Sequence, residues 1–294
     1  MTDERNEMFG LDATQIAVTR RHDLSNIVSA ARTTRASLAF WTCILVIGSL
    51  ALAGPCEAQT SKPTPTNARP ADIVDLSTVA PSVIVDLRYA GQHNFIGRRI
   101  PGYDANKCLL TRPAAQALAS VQGKLQQFEL SLMVYDCYRP QRAVNYFVRW
   151  AADSADTAMR GEFYPRVKKD ELLKEGYIAS PSTHSRGSTV DITIVALPQS
   201  EVDSYRPSQP VMACDAPASR RFRDGSLDMG TGFDCFDPKA HLQASHLTSQ
   251  QRANRMLLTT LMNQAGFAGY PYEWWHFTLR NEPYPNTYFD FPVQ

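Results

Sequence analysis

The sequence predicts a domain that mixes strands with helices. Two observations carry this. Leu130–Tyr135 reads as a short strand of the buried type, and Thr189–Ala196 is a short run rich in β-branched residues. Against them stand two longer segments with apolar residues at helical spacing, each opened by a threonine start signal at Thr111 and Thr248.

The chain has 294 residues, of which 44% are hydrophobic, enough for one core of ordinary size. Formal net charge is +1 and the charges are mixed along the chain, so no basic field points to nucleic acid. No internal repeat is evident.

Residues 1–35 are polar and end in a run bearing Arg20, Arg21, Arg32 and Arg35. The apolar stretch Ala36–Ala53 follows, then Pro55-Cys56-Glu57-Ala58. A basic flank, an apolar segment and a small residue at a cut site describe a secretory signal. The expectation is an exported, periplasmic protein cut after Ala58, with an uncleaved membrane anchor as the alternative. Residues 1–58 thus form an N-terminal extension and signal, the proline- and threonine-rich residues 59–71 a flexible linker, and residues 72–294 the folded domain. Six cysteines are present, and Cys43 and Cys56 fall in the signal. The other four, Cys108, Cys137, Cys214 and Cys235, lack metal-ligand spacing and in an oxidising compartment can pair in three ways. Cys214–Cys235, flanking one long irregular segment, and Cys108–Cys137 are the favoured pairs.

Along the domain, Ser82–Tyr89 reads as a strand and Ala90–Asn106 as a glycine-bearing loop. Thr111-Arg112-Pro113 starts a helix with Ala115, Leu118, Val121, Leu125 and Phe128 at core spacing. The Leu130–Tyr135 strand runs into Asp136-Cys137-Tyr138-Arg139-Pro140, and Pro140 opens a helix with Ala143, Tyr146, Phe147 and Trp150 inward. Arg139 therefore sits at a strand-to-helix junction, a frequent place for functional side chains, with a surface pairing to Asp136 as the alternative. Residues 151–181 read as surface helix and loop. Pro198–Pro238 is long and irregular, which in a compact domain marks function or mobility. The helix capped by Thr248 runs to about Gln264, with Met256, Leu257 and Leu261 inward and Gly266 as its stop.

The chemistry gathers in S-T-H-S-R-G-S-T-V-D, Ser182–Asp191, and E-W-W-H, Glu273–His276. His184, Asp191 and His276 are candidate ligands of one Zn²⁺, since hydrolytic zinc takes three protein ligands and leaves the fourth position to water. Glu273 is the candidate base for that water. His184 and Asp191 lie seven positions apart, which on one straight strand would put them on opposite faces. Gly187 between them allows a turn, so His184 is expected on the turn and Asp191 on the strand it feeds. Alone, a histidine or an E-x-x-H is commonplace, and only the joint pattern is informative.

Four segments together resemble the D-alanyl-D-alanine dipeptidases of the vancomycin-resistance type: Y-A-G-Q-H-N-F-I-G at Tyr89–Gly97, Y-D-C-Y-R-P-Q-R-A-V at Tyr135–Val144, Ser182–Asp191, and the long stretch Glu273–Val293. The resemblance covers residues 80–294. It implies an α+β fold with a mostly antiparallel central sheet and packed helices, shared with D,D-carboxypeptidases and the hedgehog fold. It implies hydrolysis of D-Ala-D-Ala with His184, Asp191 and His276 on zinc, Glu273 as general base and Arg139 stabilising the transition state. By the same resemblance, Tyr89 and Asp234 lie near the substrate's free ammonium and Ser182 near the dipeptide. Cys137 stands where the family is expected to have glycine, and the stretch between Asp191 and Asp234 is longer than expected. A D,D-carboxypeptidase acting on longer wall peptides and a non-enzymatic zinc module are the competing functions. The expected partner is a small dipeptide, with no nucleic acid, and with a membrane only through an uncleaved N-terminal segment.

Overall fold

The computed structural model describes residues 65–294. The signal expected at residues 1–58 and residues 59–64 of the expected linker lie outside the described residues. The chain is a mixed α+β domain with two sheets. The larger has five strands in the order β2 (Ile84–Val85), β4 (Leu130–Asp136), β5 (Thr189–Ala196), β7 (Glu273–Leu279) and β6 (Phe267–Tyr270). Only the β2–β4 pairing is parallel. A small second sheet pairs β1 (Ile73–Asp75) with β3 (Leu109–Thr111) antiparallel.

β4 and β5 are buried on both faces, which explains why apolar residues dominate them, with Ser131, Asp136, Thr189, Asp191 and Thr193 as the polar members. Helix α1 (Arg112–Gln126) follows the Thr111 signal with Pro113 in its first turn. Its Ala115, Leu118, Val121 and Leu125 are buried, whereas Phe128 lies past its end and is exposed. Helix α2 (Gln141–Ala152) turns Ala143, Phe147 and Trp150 inward, while Tyr146 is half-buried and accepts a hydrogen bond from Arg98. A short helix α3 (Arg160–Phe163) follows. Helix α4 (Ser249–Gln264) has a full capping box between Thr248 and Gln251, and Gly266 beyond it takes a positive φ of 92°.

Several expectations are corrected. The strand expected over Ser82–Tyr89 shrinks to Ile84–Val85, and Arg88–Ala90 forms a 3₁₀ turn that buries Tyr89. In α4 the inward residues are Gln251, Asn254, Arg255, Leu258 and Met262, not Met256 and Leu257, which are exposed. The inner stripe is partly polar because Arg255 donates to the carbonyls of Met229, Lys239 and His241. Apolarity alone therefore pointed to the wrong face. β6, with alternation too weak to read, forms a hairpin with β7. Residues 65–71, expected as the end of a flexible linker, run along the domain. There Thr66 donates from its backbone to Tyr288 and accepts from Asp290.

Both favoured disulfides are present, Cys108–Cys137 and Cys214–Cys235. Residues 197–237 contain no helix or strand, as expected, yet they are held by side chains. Asp228 takes Arg221 and Gln251, and the hydroxyl of Thr231 accepts from the Trp274 indole.

Candidate active site

Strand pairing assembles the centre. In the β5–β7 register Asp191 lies opposite His276. His184 reaches them from a 3₁₀ turn, Thr183–Arg186, which ends at Gly187 with φ 78°. An added Cβ at Gly187 would also lie 3.1 Å from Ile73, so the turn needs glycine twice over. The sequence reading of a turn feeding a strand describes this arrangement.

The three side chains converge. His184 Nε2 lies 3.3 Å from Asp191 Oδ1 and 3.3 Å from His276 Nδ1, and His276 Nδ1 lies 3.2 Å from Asp191 Oδ1. Donors about 2.0–2.1 Å from a common tetrahedral centre stand about 3.3 Å apart, so this triangle has the size that a tetrahedral N/O site requires. The protonation pattern agrees. His184 Nδ1 donates to the carbonyl of Cys137 at 2.7 Å, which leaves Nε2 of the neutral ring with a bare lone pair. The other nitrogen of His276 lies 3.3 Å from the Thr183 hydroxyl. Asp191 Oδ1 is buried and accepts no hydrogen bond, an orphaned oxygen aimed at two imidazole nitrogens. The donor set therefore fits a metal ion. Burial pushes the Asp191 carboxyl up, but His184 and His276 outweigh it and hold it below its usual range. Burial lowers the pKa of His276, which favours the neutral ring that a ligand must be.

Glu273 opens β7 and is 8% exposed, with Oε2 3.5 Å from His276 Nδ1. Burial, reinforced by the negative charges of Asp191 and Asp234, pushes its carboxyl well above the usual range. Such a group is poised to hold a proton at moderate pH. Arg139 is half-buried in the pocket wall, not a surface residue, although its expected pairing with Asp136 exists. Its Nε donates to Asp136 at 2.8 Å, and one terminal nitrogen lies 3.4 Å from Asp191 Oδ2. The guanidinium also packs over the rings of Tyr89 and Phe147, at 5.1 and 5.2 Å. Asp136 is fully buried and accepts from the Tyr103 hydroxyl as well.

At the other end of the pocket the Tyr89 hydroxyl donates to Asp234 Oδ2 at 2.8 Å. Burial above all, with Asp191 nearby, raises the Asp234 carboxyl well above its usual range, against the Tyr89 hydroxyl and Arg139. Ser182 is buried at the start of the His184 turn, and its side chain caps nothing there. All eight sequence-predicted site residues thus lie in one region. All but His184 line a single pocket of about 120 Å³, and His184 stands behind it on the triad.

Sequence reasoning missed part of the wall. Gly176–Pro181, within the stretch read as surface helix and loop, covers the pocket with Tyr177, Ile178 and Pro181, and the Tyr270 hydroxyl pins it by donating to the Gly176 carbonyl at 3.1 Å. Phe147 and Phe236 complete the apolar side. Asp136 was named only as a pairing partner, although its place directly before the Cys-Tyr-Arg-Pro segment was a usable signal. Trp274 and Trp275, which could have been core or substrate wall, are buried and do not line the pocket.

A mixed α+β domain carrying a His–Asp–His metal site with a buried glutamate beside it defines a metallopeptidase. The chain belongs to the Peptidase_M15 family, described as D-ala-D-ala dipeptidase, whose model matches residues 69–204 and 217–294. It is 34% identical to the D-alanyl-D-alanine dipeptidase of Enterococcus faecium over 219 residues, 74% of this chain and 96% of that protein. It is 36% identical, over 208 residues in each case, to proteins of the same name from Enterococcus faecalis and Streptomyces coelicolor. Both alignments cover 71% of this chain and 91% of the relative.

Proposed function

We propose that this enzyme hydrolyses the dipeptide D-Ala-D-Ala, with Zn²⁺ held by His184, Asp191 and His276. The observation that carries the proposal is the pairing, in one small pocket, of this triad with a buried carboxylate at the far end, Asp234 under the Tyr89 hydroxyl. A carboxylate there suits a free ammonium close to the scissile bond, as a dipeptide has and a longer peptide lacks. The relatives' shared name supports the same substrate.

When bound, zinc polarises the scissile carbonyl and lowers the pKa of a water to about 7. Glu273 takes the proton of the attacking water and returns it to the leaving amine nitrogen as the C–N bond breaks. Arg139 presents its guanidinium to the oxygen on which negative charge develops, and Asp136 fixes its plane through Nε. Asp234 and Tyr89 hold the ammonium, Ser182 lies beside the dipeptide, and Phe147, Phe236 and Tyr177 exclude water. The fold is read as that shared with D,D-carboxypeptidases and the hedgehog fold.

The partner is this small dipeptide, with no nucleic acid, and with a membrane only through an uncleaved N-terminal segment. Export to the periplasm is proposed from the apolar stretch Ala36–Ala53 and supported by two disulfides, which persist in oxidising compartments. Outside the cytoplasm the enzyme would scavenge dipeptides released there in peptidoglycan turnover rather than deplete the pool feeding wall synthesis. Among the described residues no helix is long and apolar enough to cross a membrane.

Rates on free D-Ala-D-Ala, N-acetyl-D-Ala-D-Ala and a pentapeptide ending in D-Ala-D-Ala test the substrate. The free dipeptide should be strongly preferred, because a blocked amine leaves buried Asp234 with the Tyr89 hydroxyl but no positive charge to face it. Comparable rates on all three would establish the carboxypeptidase function instead. Cell fractionation tests export, which full-length chain in the cytosol with residues 1–58 attached would refute.

A further inference from the structure

Asp234 has a positive φ of 54° without being glycine. Aspartate tolerates this region better than most residues, but the conformation persists only where neighbours hold it. The neighbours on each side of Asp234 converge on one residue, Cys214. Before Asp234, the Gly232 amide donates to the Cys214 carbonyl at 2.8 Å. After it, Cys235 is bonded covalently to the Cys214 sulfur. Cys214 is itself anchored, since its amide donates to the Glu162 carbonyl at 2.8 Å. Both cysteines are buried, at 4% and 0% exposure. The next link along the chain, the Phe236 amide to the Phe163 carbonyl at 2.8 Å, fastens the same stretch to α3.

Cys214 lies in residues 205–216, the gap between the two parts of the chain matched by the family model. The clamp around Asp234 is thus supplied by a segment outside the family match, and Cys235 sits directly beside the pocket carboxylate inside it.

We infer that Cys214 is a positioning residue for substrate selection: through its bridge to Cys235 and its carbonyl bond to Gly232, it fixes Asp234 against Tyr89 and so sets the preference for a free ammonium. The inference rests on the dipeptidase function proposed above. Without the bridge, Asp234 loses its covalent tie to Cys214, and only the Gly232 and Phe236 backbone bonds hold the turn on either side. Asp234 then samples other backbone conformations, and its carboxylate is misplaced for part of the time. Asp191, His276 and Glu273 stand on β5 and β7, His184 on the Thr183–Arg186 turn and Arg139 just past β4, and the bridge joins none of these segments.

The test is the full chain carrying C214A and C235A together, which leaves no free thiol from this bridge. Steady-state kinetics on D-Ala-D-Ala and N-acetyl-D-Ala-D-Ala are compared with wild type. KM for the free dipeptide should rise about tenfold with kcat changed less than about twofold, the pattern of lost uniform binding. kcat/KM for the acetylated dipeptide should stay unchanged, so the preference ratio falls by about the same factor of ten. A folded variant with lower thermal stability and an unchanged ratio overturns the inference, because the bridge would then be structural only. If the double variant does not fold, C235S, differing from the thiol by one atom, is measured in the same way and read by the same ratio. Wild-type protein inactive on D-Ala-D-Ala overturns the dipeptidase function and this inference with it, whereas wild-type activity with an unaltered variant ratio overturns the inference alone.

Discussion

Replacing Arg139 by alanine separates catalysis from stability at one position. Two losses are expected, and they have different origins. The first is kinetic. Arg139 Nε is committed to Asp136, one terminal nitrogen leans on Asp191, and the rest of the guanidinium faces the pocket. Deleting a donor to a developing oxyanion costs about 10²–10³ in kcat, or about 2.7–4 kcal/mol. The second is thermodynamic. Asp136 is fully buried and keeps only the Tyr103 hydroxyl once Arg139 is gone. Removing one partner of a buried pair costs about 3–5 kcal/mol. The two are distinguished by D136N in the same chain. R139A/D136N removes the orphaned charge and should regain much of the stability, while the rate stays low. R139K keeps a positive charge for Asp136 but lacks the planar fork, so it should recover stability better than rate. The assay is urea unfolding alongside steady-state hydrolysis at fixed metal content. R139A retaining kcat within about threefold of wild type would sink the oxyanion role, since that is far short of the loss a missing donor produces.

Other outcomes follow from the same geometry. E273A should retain its metal but lose about 10²–10⁴ in rate as the base disappears, whereas H276A should lose the metal itself; metal analysis of both proteins decides whether base and ligand have been assigned correctly. D234N should stabilise the metal-free protein more as pH rises. The raised folded pKa of Asp234 means that this group binds more protons in the native state than in the unfolded chain above about pH 4, so with rising pH the wild type loses a contribution that the asparagine form does not carry. Thermal melts in chelator at pH 5 and pH 8 read that gap, and a gap that narrows toward pH 8 would contradict it. G230A should cost about 1–3 kcal/mol by overpacking, because the residue has φ 93° and the new Cβ would lie 2.5 Å from Leu247 Cδ2. An unchanged unfolding midpoint would show that the Asp228–Asp237 stretch yields more easily than its bonds suggest.

Much of this protein is determined locally and so is visible in the sequence. The two central strands announce themselves because both their faces are buried, which favours short, mainly apolar runs. Helices α1, α2 and α4 follow from a proline in the first turn, a proline N-cap and a capping box, all signals spanning a few residues. His184 and Asp191 could be joined across Gly187 because one glycine allows the turn between them. The tertiary structure alone decided what depends on distant partners. Strand register sets His276 opposite Asp191 and so gives the triad the dimensions of a metal site. Arg139 is half-buried, and not a solvated arginine, because Asp136, Tyr89 and Phe147 pack around it. The inward face of α4 is partly polar because the carbonyls of Met229, Lys239 and His241 need Arg255, a requirement that no periodicity within the helix records. The strap Gly176–Pro181 becomes a pocket wall only when Tyr270, nearly a hundred residues later, bonds to it. Short-range chemistry is written in neighbouring residues, whereas burial and electrostatics depend on which segments the fold brings together.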